Sequence, residues 1–297
     1  MGQLKGILLV AAGACSYGVL ATFVKMATLK GGHIGNLTLG QFVWGILILF
    51  ILRLLFGGKA KKAVAPASLK EKGQLLLAGT AMGLTSTFYY LAIQYIPVSV
   101  GIILLMQAIW MGILLESILE RKFPPLIKIM AAAIVLVGTF LATGILGQEE
   151  SLSLDWRGLA FGLAAASSYT VTLYSSNRVV LRLPNLERSY FMVWGGLIIT
   201  VLFWNLSLID NFGWADFASW GLLIAVFGTV LPPILLNEGM PITGTGLGSI
   251  IASMEIPVSI LFAYVLLNEQ VGGLQWLGVG LILAAVFWIN WPKKAKA

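Results

Sequence analysis

The chain has 297 residues, 59% of them hydrophobic and 10% charged, with a mean hydropathy of +0.93 and a formal net charge of +7. A water-soluble domain of this length carries roughly a quarter charged residues, so the composition excludes one and points to an integral membrane protein. The positive excess lies in loops between apolar runs, where topology accounts for it; membrane lipid is the expected partner and nucleic acid is not.

The first apolar run begins at Leu4 and continues for about 20 residues, too long for a cleavable signal core, so it is expected to remain as a span. The single cysteine, Cys15, lies within it and forms no intramolecular disulfide. Crossing about 30 Å of hydrocarbon at 1.5 Å per residue takes roughly 20 residues. On that basis the sequence reads as ten spans: 4–26, 37–56, 73–95, 97–119, 125–146, 158–180, 190–209, 217–236, 244–267 and 274–291. Several connections, notably Ile96 and Gln270 to Gly273, leave room only for tight helical hairpins. Lipid excludes irregular backbone and open sheet edges, so the expected fold class is an all-α bundle.

With the amino terminus inside, only Lys25, Lys30 and Arg157 of the nineteen lysines and arginines fall outside, whereas Glu149, Glu150, Asp155, Asp210 and Asp216 all do. Both termini are therefore expected to be cytoplasmic. The stretch 94–128 follows the same plan as 238–276. Glu120 superposes on Glu269 at an offset of 149 residues, and Ser16-Tyr17 superposes on Ser168-Tyr169 at 152. Five spans per half is an odd number, so halves 1–147 and 148–297 enter the membrane from opposite sides as inverted repeats.

Ten spans in two inverted halves, a glutamate closing spans four and nine, and small-residue runs around Tyr17 and Tyr169 resemble the EamA-type members of the drug/metabolite transporter superfamily. The chain has Tyr17-Gly18 where that family often has tryptophan-glycine, and Gln107-Ala108 in the region of its span-four proline. The resemblance implies a secondary transporter of small organic metabolites, such as amino acids or amphipathic compounds, in the cytoplasmic membrane. Such proteins are often exporters with a central cavity between the halves. A lipid-linked-sugar or polyprenyl-phosphate flippase, or a membrane protein that binds without transporting, are the other readings.

Glu255 is the leading candidate site residue, 11 residues from Gly244 and 12 from Leu267 in a span otherwise free of charge. An intramembrane carboxylate costs about 2.5–3.5 kcal/mol on insertion scales and marks a cavity or partner by default; it is also the candidate for proton coupling. Pro257 removes a hydrogen bond to the carbonyl of Ser253 and is expected to kink the helix and free that carbonyl. Gln107 and Trp110 share a face of span four, either to stack a ligand or to join helices. Tyr89 and Tyr90 on span three, with Tyr17 and Tyr169 on spans one and six, complete the set, although each tyrosine alone also fits a packed core. Glu116 is expected to pair with Arg121 or Lys122, and Lys25 and Arg178 to reach the headgroups. No Walker loop, zinc-ligand spacing or nucleophile elbow is present, and His33 stands alone, so neither an enzyme nor a cofactor or metal site is expected. Oligomeric state leaves no mark in the sequence.

Overall fold

The computed structural model describes residues 2–61, 65–96, 98–145, 155–210 and 212–290; Pro97, Glu149, Glu150 and the division between 147 and 148 lie outside the described residues. The described secondary structure is helical throughout. It comprises α1 (Gly2–Leu29), α2 (Ile34–Lys61), α3 (Leu69–Ala92), α4 (Val98–Leu105), α5 (Ala108–Glu120), α6 (Leu126–Ala142) and α7 (Trp156–Arg178). These are followed by α8 (Asn185–Asp210), α9 (Gly221–Ala225), α10 (Leu231–Thr243), α11 (Thr245–Ala252), α12 (Glu255–Leu267) and α13 (Gly273–Asn290), with π-helical turns at Asp216–Trp220 and Val226–Val230. The end of the bundle where α1 begins is the near face, and the end where it finishes is the far face.

Among the described residues, eight segments are long and apolar enough to cross a bilayer: Gly2–Leu29, Ile34–Phe56, Leu69–Ala92, Val100–Glu120, Asn185–Trp204, Asp216–Thr243, Thr245–Leu267 and Gly273–Asn290. Ten were expected. Of the other two, Leu126–Ala142 is apolar but 17 residues long, and α7 carries Thr170, Thr172, Ser175, Ser176 and Asn177, all buried. The threonine hydroxyls are satisfied within the helix itself, without lipid. The hydroxyls of Thr170 and Thr172 donate to the carbonyls of Ala166 (2.9 Å) and Ser168 (3.1 Å).

A bundle in lipid gains little from hiding apolar surface between helices, so close backbone approach has to supply the packing energy. The crossing of α3 with α8 achieves this with glycine. A β-carbon built at Gly79 would lie 1.8 Å from the carbonyl oxygen of Met192, and one at Gly195 would lie 2.0 Å from that of Leu76. Large apolar side chains such as Leu54, Leu55, Phe56 and Phe287 are exposed on the outside of the bundle, where lipid covers them.

Prolines leave carbonyls that the fold satisfies from elsewhere. In the second π turn, Val226 O accepts from Leu231 N–H; the next donor in that register belongs to Pro232, which has none. Ser16 Oγ of α1 donates instead to Phe227 O at 2.7 Å. Pro241 likewise cannot reach back to Asn237 O, and Arg188 Nη1 donates there at 2.6 Å. Arg188 is 1% exposed and also donates to the carbonyls of Val179 (3.0 Å) and Ser176 (2.7 Å). A cation thus sits at the negative end of α7's dipole and ties α7, α8 and α10 together at the near face. At the start of α3 the sequence pattern Ser68-Leu69-Lys70-Glu71 forms a capping box, Ser68 N–H donating to Glu71 Oε2 at 2.8 Å and Glu71 N–H to Ser68 Oγ at 3.3 Å.

Gly79→Ala is expected to lower the stability of the purified protein by about 1–3 kcal/mol, the usual penalty for overpacking. Gly280→Ala, where a β-carbon meets nothing within 4 Å, is expected to cause no loss. Thermal unfolding of the two variants in one detergent checks the contrast, and equal behaviour would remove the crossing from the account.

Candidate functional site

A cavity of about 670 Å³ opens among α1, α2, α3, α4, α7 and α12. It reaches the far face past Lys25, Glu269 and Gln275, and its inner wall carries Glu255, Tyr17, Tyr89, Tyr90 and Tyr169. Five of the eight residues expected to form the site are therefore together. Tyr17 and Tyr169, the pair related by 152 positions, meet edge to face with centroids 6.2 Å apart, and Tyr89 and Tyr90 lie 6.1 Å apart. Glu255 is within electrostatic reach of Tyr17, Tyr89 and Tyr169.

A break in the helix places Glu255 here. Between α11 and α12 the chain tightens through Ser253 and Met254, whose N–H groups reach back three residues to Ile250 O (3.2 Å) and Ile251 O (3.1 Å). Glu255 is then the first residue of α12, where the positive end of the helix dipole favours an anion. The break does not depend on Pro257, because an equivalent one through Met106 and Gln107 separates α4 from α5 without any proline. The carbonyl of Ser253 is not freed either; it accepts from Ile256 N–H at 3.0 Å. Gly18 sets the distance between α1 and the carboxylate's helix, since a β-carbon there would lie 2.4 Å from Glu255 O.

The other three expected residues lie elsewhere. Trp110 Nε1 donates to Gln107 Oε1 at 2.9 Å, and Gln107 Nε2 to Ile103 O at 2.9 Å. The amide and indole satisfy each other away from the cavity. Trp110 is 41% exposed and shares an outward stripe at four-residue spacing with Leu114 and Ile118. Ser253 is fully buried, its hydroxyl donating to Ile250 O at 2.6 Å. Sequence reasoning passed over Thr22, Gln41 and Thr172, which also line the cavity. Gln41 Oε1, Thr22 Oγ1 and Tyr169 Oη are buried without a hydrogen-bond partner. A lone amide inside the apolar run 37–56 was the available signal for Gln41.

Toward the near face the space is shut by α5 against α11. Ser249 Oγ donates to Ile109 O at 3.2 Å, and Gly112 admits Ser249, whose Oγ would lie 2.8 Å from a β-carbon at that glycine. Ile109, Ile113, Ile250 and Ile251 are buried in this plug. Glu116 packs over Gly244 and Gly246 and pairs with Lys128, not with Arg121 or Lys122. Lys25 and Arg178 are not simply reaching for headgroups: each pairs with a glutamate, Glu269 at 2.5 Å and Glu120 at 3.1 Å. No group of three or more metal-binding side chains occurs among the described residues.

A polytopic helical bundle with a cavity open at one face, shut at the other and carrying a carboxylate and four tyrosines on its inner wall has the architecture of a membrane transporter. Residues 4–144 and 156–291 each match the EamA-like transporter family, and the chain belongs to it. An uncharacterized transporter of Synechocystis sp. is 24% identical over 220 residues, spanning 72% of this chain and 65% of that protein. Solute carrier family 35 member F5 of Pongo abelii and of Mus musculus are each 28% identical over 140 residues, 44% of this chain and 27% of theirs. The chain thus spans about two thirds of the cyanobacterial relative and about a quarter of the solute carriers. A crystal structure with 15% sequence identity superposes with a TM-score of 0.76 over 96% of each chain, so the fold is shared.

Gly18→Ala is expected to push α12 from α1 and weaken ligand binding, whereas Trp110→Ala is expected to leave binding unchanged. Ligand-induced thermal stabilisation of the two purified variants separates the outcomes; a Trp110→Ala defect with normal thermal stability would return that residue to the site.

Proposed function

We propose that the protein is a secondary transporter that exports small organic metabolites across the cytoplasmic membrane by alternating access between inverted halves 1–147 and 148–297. The observation that carries this reading is a register. α4 and α5 have 8 and 13 residues with two residues between them, and α11 and α12 repeat those lengths and that gap 147 positions later, Val98 to Thr245. Both stretches end on left-handed residues, Arg121 at φ 52° and Asn268 at φ 53°. The two separate family matches agree with a duplication. In this reading α6 and α7 count as spans, which makes ten, five to each half.

The same register links the shut side to the open one. Ile109, Gly112 and Ser249 form the near plug; their counterparts 147 positions away, Ile256, Ser259 and Ile102, line the cavity. If the halves exchange conformations, α12 closes on α4 through Ser259 and Ile102 while α5 leaves α11. The ion pair Glu116–Lys128 has the uncharged Ala263 and Gln275 as counterparts, so the two halves differ in charge at this level.

The positive-inside bias sets the near face, with Lys5, Arg53 and Arg188, toward the cytoplasm and both termini with it. Glu255 is then the coupling group. The titratable side chains around it are Tyr17 of α1, Tyr89 and Tyr90 of α3 and Tyr169 of α7, while Lys25 and Glu269 neutralise each other at the mouth. A carboxylate that binds either a proton or substrate couples the two, and an inward proton gradient then drives substrate outward. No residue set for covalent chemistry is needed.

In a Cys15→Ser background, cysteines at Ile102 and Ser259 are expected to form a disulfide during turnover, because closure brings their Cα atoms to the roughly 4.4–6.8 Å a disulfide needs. Bridging should halt transport in proteoliposomes and reduction should restore it. Undiminished transport with no crosslink under oxidising conditions would refute alternating access about this register.

A further inference from the structure

The inner part of the cavity has an unusual charge balance. Glu255 is its one acidic group there, and Lys25 is the one basic residue among the lining residues. Lys25 is held by Glu269 at the mouth and lies seven residues beyond Gly18, the residue that touches Glu255's backbone. At 1.5 Å per residue that is about 10 Å along α1. A cavity that carries net negative charge when Glu255 is ionised is completed by a ligand with a single positive charge.

The remaining lining gives the ligand its shape. Aromatic faces attract a desolvated cation, and Tyr17, Tyr89 and Tyr169 line the same cavity as the carboxylate. Gln41 Oε1 and Thr22 Oγ1 are buried oxygens with no partner, acceptors suited to N–H donors. The rest of the wall is largely apolar, with Leu20, Val24, Ile102, Leu105 and Ile260. We infer that the ligand is a protonated primary or secondary amine on an apolar or aromatic body, bound with its ammonium at Glu255, and not an amino acid.

The carboxylate of an amino acid argues against that class. It sits on the carbon that bears the ammonium, so docking the ammonium at Glu255 brings two carboxylates together. The one lining cation lies about two helical turns farther along α1 and is already paired. Like charges at such range in a low-dielectric site repel strongly. This inference rests on the cavity being the transport site of the preceding section, and it sharpens the ligand class of that site.

Three probes isolate the charge: phenethylamine, phenylalanine, which adds one carboxylate, and 2-phenylethanol, which replaces the ammonium with a neutral hydroxyl. Binding to purified full-length protein in detergent is measured by titration calorimetry. Phenethylamine is expected to bind at least tenfold more tightly than either of the others. Tyr17→Leu should weaken it roughly tenfold, in line with a desolvated cation–aromatic contact, and Tyr17→Phe, which keeps the ring, should restore it. Glu255→Gln should erase the preference for phenethylamine over 2-phenylethanol; thermal unfolding of each variant establishes that it is folded. Phenylalanine binding as tightly as phenethylamine, or 2-phenylethanol matching it on the unmodified protein, would overturn the inference. A protein that binds phenethylamine yet moves no substrate across a bilayer sinks the transport reading and leaves the ligand class standing. Transport without any amine preference does the reverse.

Discussion

Everything in this protein turns on holding a carboxylate inside a lipid-embedded bundle. Burying an unpaired ionised group is prohibitive unless dipoles and hydrogen-bonding groups replace its water. The chain meets that demand by breaking a helix so that Glu255 becomes the first residue of α12, in the field of its positive end, and by surrounding it with tyrosines. Gly18 then lets α1 close against the same point, so the wall of the cavity and the position of the charge are fixed by one contact.

The rest of the bundle supports that arrangement through two physical devices. Glycine crossings such as Gly79 on Met192 bring backbones together where no solvent-driven apolar term does so. Side-chain donors meet the carbonyls that prolines leave open: Ser16 serves Phe227 O, and Arg188 serves Asn237 O. Arg188 also shows how a buried cation is tolerated without a carboxylate, through a cluster of carbonyls at the end of α7. These bonds tie α7 to α10, which leads through Gly244 into α11 and the plug.

Much of this was legible in the sequence, and the failures have identifiable causes. Apolar run length revealed the helical bundle. The isolated charge in span nine and the recurring Ser-Tyr pair pointed to Glu255, Tyr17 and Tyr169, and the structure brings all three to one cavity. Length and apolarity also suggested spans at α6 and α7, yet one is short and the other polar, since both judgements assume lipid on every side whereas α7 buries its hydroxyls against neighbours. Gln107 and Trp110 were misplaced for a different reason. Facing is set by helix phase, and the structural register of 147 puts Ala108, not Gln107, opposite Glu255. A one-residue error turns a side chain by about 100°, enough to move Trp110 from the cavity to the outward stripe. Gln41, the one amide in its span, was passed over although an amide inside an apolar run also needs a polar partner.

Proton coupling through Glu255 requires that it hold either a proton or a ligand, never both. The direct measurement is proton release when phenethylamine binds the purified protein in weakly buffered detergent solution, followed across the neutral pH range. The unmodified protein is predicted to release a proton on binding over part of that range, and Glu255→Gln to release none. Tight binding with no proton release at any pH in that range, or release undiminished in Glu255→Gln, would contradict it.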